Sequence, residues 1–256
     1  MPTERRGASC AGFAALVPVL VLVLVPLAII LMVTYTDIDL RLADAMYDAG
    51  RGQFPWRHAW VAEVLNHVLL KRLLVALACA IVAFTAWDAW RPWGLTPLRR
   101  WQWRIVAASA ILIPACIALL KQASSSHCPW DLERYGGSAP YIRLLDALPA
   151  GVAPGHCLPA GHASSALWLI AFAVFFMPAR PRMASAVFVL MLAFSFAVGW
   201  LQQLRGAHFL SHTLWSVWIA CAALFALVRC TAGVVKPRSP MPFPPRSASP
   251  PAQTGK

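Results

Sequence analysis

Six apolar runs decide most of what this chain can become. They cover roughly residues 11–33, 68–87, 105–120, 162–178, 184–201 and 209–228, and a helix that crosses a bilayer needs about 20 such residues. In lipid, every backbone N–H and C=O must find its partner within the protein, so runs of this length cross as helices. The expected fold is all-α: a polytopic membrane protein with a six-helix transmembrane bundle. Composition agrees, because 12% of the residues are charged where a soluble domain carries about 25%. The third run is short and draws on its neighbours. The first follows Arg5 and Arg6 as a secretion signal would. It is longer than a signal core of about 7–15 residues and lacks a small-residue cleavage site, so it reads as a retained anchor. Pro18 and Pro26 inside it are read as bends, which packed membrane helices tolerate.

The formal net charge of +12 raises nucleic acid as a partner. The basic residues cluster near the ends of apolar runs, with no basic stripe or recognition motif, so no nucleic-acid partner is expected. With the N-terminus inside, the inner segments hold Arg91, Arg99, Arg100, Arg104, Arg180 and Arg182 among others, with only Glu4 and Asp88 as acids. The remaining acids fall in outer segments. By the positive-inside rule both ends are cytoplasmic. In a bacterial inner membrane the outer loops then face the periplasm.

Residues 35–67 mix acids with Leu, Ile, Met and Trp and read as short amphipathic helices along the outer face. Residues 121–161 are rich in Gly, Pro, Ser and Cys, the composition of a functional loop. The tail from Lys236 holds seven prolines without periodicity and reads as disordered. The division is a membrane domain over 1–235 and a Pro-rich cytoplasmic tail over 236–256.

Chemistry collects on one side. Five of the seven histidines, His127, His156, His162, His208 and His212, sit in outer segments or at outer helix ends, as do Lys121, Arg134 and Arg205. Polar titratable groups at membrane edges mark function by default. Taken singly, Lys121 reads as a snorkelling residue and each histidine as a helix-interface residue with a satisfied hydrogen bond. Three stretches together ask for more: "KQASSSHCP" at 121–129, "PAGH" at 159–162 and "RGAHFLSH" at 205–212, all emerging on the same face.

These stretches resemble the three motifs of the type 2 phosphatidic acid phosphatase superfamily, the lipid phosphate phosphatases: K-x6-R-P, P-S-G-H and S-R-x5-H-x3-D. Order, spacing and helix positions agree over roughly residues 60–228. Lys121 and Pro129 fit the first motif, with Cys128 in place of its arginine. Pro159, Gly161 and His162 fit the second, with Ala160 in place of serine. His208 fits the nucleophile of the third, while Leu201 and Gln202 stand for Ser-Arg and His212 for aspartate.

The resemblance implies a membrane phosphatase acting on a lipid-linked phosphate through a phosphohistidine. His208 is the expected nucleophile, and neutral imidazole suits that role. His162 is the expected acid and base. His212, one turn after His208, is expected to hold the nucleophile's other nitrogen, with Asp131 or Glu133 completing the relay. Lys121, Arg205, Arg134 and Gly161 are the expected phosphate ligands, since cations aimed at the equatorial oxygens stabilise phosphoryl transfer. Transfer to another lipid in place of water, and a catalytically inactive lipid-binding relative, stay open alternatives, as does the substrate's headgroup. The oligomeric state is unknown.

Two His-Cys pairs, His127-Cys128 and His156-Cys157, together with His162, His208 and His212, offer ligands enough for zinc. No C-x-x-C or acid-backed histidine pair supports it, so neither a metal nor a cofactor is expected. Cys128 and Cys157 are the cysteines of the outer loop, and an oxidising exterior lets them pair as a disulfide.

Overall fold

The computed structural model describes residues 20–231. The expected tail at 236–256, and the first half of the N-terminal anchor, lie outside the described residues. Helices α1 (Leu20–Tyr35), α2 (Ile38–Met46), α3 (Val61–Trp90), α4 (Pro97–Gln122), α5 (Gly161–Phe176), α6 (Pro181–Leu204) and α7 (Leu210–Thr231) follow in order. No strand occurs among the described residues.

Four helices, α3, α4, α6 and α7, are long and apolar enough to cross a membrane. The α1–α2 pair, bent by 71°, makes a fifth if it counts as one crossing. The fourth apolar run, 162–178, became α5, which is shorter than a full span. Prolines set its limits: Pro159 lies just before its start, and Pro178 just after its end. A proline pushes the preceding residue out of the helical region.

Other boundaries are equally local. Thr96 caps α4, its Oγ1 accepting from the Arg99 N–H at 3.3 Å, with Pro97 at the first helical position. α6 likewise opens on Pro181. α3 begins seven residues before its apolar run, because Val61–Leu70 winds as a wider π-helix ahead of the regular turns from Lys71. The expected outer segment 35–67 therefore divides into α2, a turn-rich stretch and the first turns of α3.

α5 is the hub of the bundle. Leu167, Trp168, Ile170, Ala171 and Val174 are all buried, and a helix that is apolar all round belongs in the interior. Around it the core takes Leu74 and Ile81 from α3, Ile113 and Ile117 from α4, Val198 from α6, and Ile219 and Leu224 from α7. Small residues permit this closeness. A Cβ on Gly199 would fall 2.8 Å from Thr213 Cγ2 and 3.3 Å from Ala163 Cβ, so glycine lets α6 approach α5 and α7.

The two ends of the bundle differ. At one end Arg100 pairs with Asp88 at 2.7 Å, Trp101 Nε1 donates to Thr231 Oγ1 at 2.8 Å, and Gln102 donates to the Val174 carbonyl at 2.9 Å. The other end gathers the start of α5, the end of α4, the end of α6 and the start of α7. Over that second end lies a separate apolar layer in which Ala43 of α2 packs with Phe54, Leu132, Tyr135 and Phe209. It holds the 121–161 loop down on the bundle.

Candidate active site

All three motif segments meet at the covered end. Cys128 and Cys157 are disulfide-bonded with Cα atoms 5.3 Å apart. The expected pairing therefore forms, and Cys79, Cys116, Cys221 and Cys230 are free; Cys10 lies outside the described residues. Backbone bonds run beside this link. Gly155, His156 and Cys157 donate to the carbonyls of Ser125, Ser124 and Ser126 at 3.1, 3.1 and 2.9 Å. A Cβ on Gly155 would fall 2.5 Å from His127 Cα, so only glycine allows the two segments of the loop to come this close. The second and third segments join where Ala160 N–H donates to the His212 carbonyl at 3.0 Å. The first and third join where Trp130 N–H donates to the Gly206 carbonyl at 3.0 Å.

His208 is buried in the short loop between α6 and α7. Its Nδ1 lies 3.4 Å from Cys157 Sγ, and an oxidised sulfur has no proton to give, so the polar contact uses an N–H on the ring. That leaves Nε2 for chemistry. The group against Nδ1 is thus Cys157 and not the expected His212, whose ring meets His208 edge-on at 5.8 Å between centroids. The disulfide draws Cys157 into that position. Burial, reinforced by His212, Lys121 and His162 nearby, holds His208 well below its ordinary value, so the ring is neutral.

His162 is also buried, on the first turn of α5, with neither ring nitrogen hydrogen-bonded. It stacks on His67 of α3, ring centroids 4.7 Å apart and planes 25° from parallel. Lys121 lies beside the start of the same helix: a Cβ on Gly161 would be 3.8 Å from its Nζ.

Arg205 is buried and anchored at three points. Its Nε donates to the Arg57 carbonyl and one Nη to Gln202 Oε1, both at 3.0 Å, while Glu63 lies 3.8 Å away. Its charge reaches both His67 and His162. Gln202, which stands where the family motif has arginine, orients this arginine instead.

Arg134 is not brought to the histidines. Its guanidinium grips Asp44 of α2 through two bonds of 2.8 and 2.7 Å, with the side chain 54% exposed. A bidentate carboxylate nearby claims the fork that phosphate would need. Neither Asp131 nor Glu133 hydrogen-bonds a histidine among the described residues. The buried carboxylate of Asp39 instead holds Ser211, the residue before His212, accepting from its N–H at 3.0 Å and from its hydroxyl. Cys128, Cys157 and His208 place their heteroatoms within 4.8 Å of one another. The two sulfurs are bonded to each other, so this cluster offers no thiolate to a metal.

A family model described as the PAP2 superfamily matches residues 102–236, over half of the 256-residue chain. The chain belongs to the PAP2 superfamily. Nothing matches it among curated proteins or among solved structures. Superfamily members are phosphatases, which supports a phosphoric ester hydrolase. The match begins in α4, so His67, Glu63 and Arg57 come from outside it. Sequence reasoning missed His67. The available signal was "NHVLLK" at 66–71, a histidine one turn ahead of a lysine at the mouth of an apolar run.

Proposed function

We propose that this PAP2-superfamily protein removes phosphate from a lipid phosphate or diphosphate through a phosphohistidine on His208. The observation that carries the reading is the joining of three distant segments around one neutral, buried imidazole, with Lys121, His162 and His212 near it and Arg205 near His162. His208 Nε2 attacks phosphorus and forms the P–N bond as the ester oxygen leaves with its electron pair and takes a proton from His162, which enters this step as the imidazolium and leaves it neutral. Water then attacks the phosphorus, His162 takes the water's proton, and the P–N bond breaks to release phosphate. Lys121 and Arg205 stabilise the charge on the equatorial oxygens, where fixed cations in a water-poor site are most effective. Cys157 orients His208, and His212 packs against the ring edge from one turn deeper.

The chain crosses the membrane six times, with the first apolar run, which includes α1, as one crossing and the short α5 as another, while α2 lies along the outer face. Both ends are cytoplasmic, the site faces the periplasm of a bacterial inner membrane, and residues 236–256 follow a single membrane domain as a Pro-rich tail. Reporter fusions after residue 100 are expected to read cytoplasmic and those near 140 exterior; the reverse would move the site inside. Phosphate release by the purified protein from a panel of lipid phosphates tests the activity. A second reading, binding without turnover, draws on His212 standing where the family has a carboxylate; binding of every lipid phosphate with release of none would favour it.

A further inference from the structure

Two apolar grooves flank α4 on opposite sides, and both reach the covered end of the bundle. One, of about 420 Å³, is bounded by Leu120, Leu158, Pro159, Trp215, Trp218 and Ile219, and no charged residue lines it. The other, of about 550 Å³, lies between α3, α4 and α5. Its walls are Ala78, Cys79, Ala83, Ala110 and Trp168, mostly small side chains that leave a hollow between facing helices. Its upper end is polar: Lys71, Gly161, Ser164 and Ser165.

Three observations separate the second groove from the first. Gly161, at its head, also sits against Lys121, so the groove ends where the candidate phosphate ligands begin. Lys71 is exposed and has no ion pair among the described residues, and its charge reaches Lys121 and His162. Two lysines facing one polar patch without an acid between them call for an anion. The groove also has the right depth. From Lys71 to Ala83 α3 advances about 18 Å at about 1.5 Å per residue, close to the roughly 15 Å of one leaflet's hydrocarbon. Its rims, Val75 and Ile111, are 48% and 52% exposed, so the hollow opens sideways to lipid.

We propose that this α3–α4–α5 groove holds the hydrocarbon chain of the lipid phosphate substrate, with Lys71 as a phosphate clamp additional to Lys121 and Arg205. The inference rests on the phosphatase reading and names which lipid-facing surface serves it. An amphiphile with an anionic head and one leaflet-long chain complements a cationic end above an apolar trough.

The test compares a long-chain phosphatidate with a short-chain, water-soluble one, using the full-length protein in mixed micelles. Cys79→Trp fills the groove from an exposed position. It is expected to raise KM for the long-chain substrate at least tenfold while short-chain kcat/KM stays within twofold. Leu144→Trp, at a residue that also lines the other groove, is expected to change neither by more than twofold. Lys71→Gln is expected to raise KM about equally for both substrates. Loss of long-chain turnover in Leu144→Trp but not in Cys79→Trp would overturn the assignment.

A readout without turnover uses the native thiol. Maleimide labelling of Cys79 in wild-type protein, followed by peptide mapping, is expected to slow at least fivefold with long-chain phosphatidate, and less with diacylglycerol of the same chains. Equal labelling with and without phosphatidate would refute the groove. If wild-type protein hydrolysed neither substrate, the phosphatase reading would fall, and Cys79 protection alone would still decide whether the groove takes the lipid.

Discussion

Breaking the Cys128–Cys157 bond perturbs stability and chemistry together, and the structure sets both magnitudes. Cys128→Ser cuts the link at its half-buried partner and leaves Cys157 in its pocket. The bond spans a separation of 29 residues. By the chain-entropy relation its removal costs about 3.6 kcal/mol at 25 °C. For a chain of this size that corresponds to a fall in Tm of about 7–14 °C. Turnover should drop as well, because Cys157 is the group against the His208 Nδ1. Loss of one orienting contact worth about 0.5–1.5 kcal/mol lowers kcat roughly two- to tenfold. KM should change less, since Lys121 and Arg205 remain in place. The assay is thermal unfolding in detergent beside phosphate release from a lipid phosphate, for wild type and variant under non-reducing conditions. A Tm shift under about 2 °C with unchanged kcat would refute the argument that this covalent link replaces the missing motif arginine as the organiser of the site.

Other expectations follow from single contacts. Arg134→Ala should keep turnover within twofold and cost no more than about 1 kcal/mol, because its partner is the exposed carboxylate of Asp44; a tenfold loss of activity would return Arg134 to the phosphate site. Gly206 has φ +74°, and a Cβ there would run into the Phe54 ring. Gly206→Ala should therefore cost about 1–3 kcal/mol or more, read as a clear fall in Tm. Acid should destabilise the protein through His208. The unfolded ring takes up a proton near its ordinary value of 6.5 while the folded ring does so only well below it. Stability is thus complete above pH 6.5 and is lost as pH falls, by up to about 1.4 kcal/mol per unit. His208→Gln should flatten that slope in pH-dependent unfolding.

What was legible in the sequence was whatever depends on local pattern. Apolar runs gave the helices, Pro97 and Pro181 their starts, and two outer cysteines their pairing. The three motif stretches met as their order and side implied, because each sits at the same end of a helix of the bundle. Partners drawn from distant segments were not legible. Arg134 in "WDLERYGG" reads as a phosphate ligand but grips Asp44, 90 positions earlier. His67 falls in sequence at the end of the interfacial segment 35–67, yet α3 begins before it and stacks it on His162. Nothing in "RGAHFLSH" says that the disulfide would deliver Cys157 to the His208 Nδ1, displacing His212 from the expected role. α5 fell short of a full span because prolines bound it and because, as the buried hub, it need not face lipid along its whole length.

The most direct test of the account is to trap the phosphorylated enzyme. Wild-type protein mixed with a lipid phosphate labelled in its phosphoryl group and quenched within milliseconds should carry acid-labile, base-stable label on the peptide containing His208. His208→Ala, folded in detergent with a Tm near that of wild type, should carry none and release no phosphate. Near-normal release by His208→Ala, or label recovered on another residue, would contradict the assignment of His208 as the nucleophile.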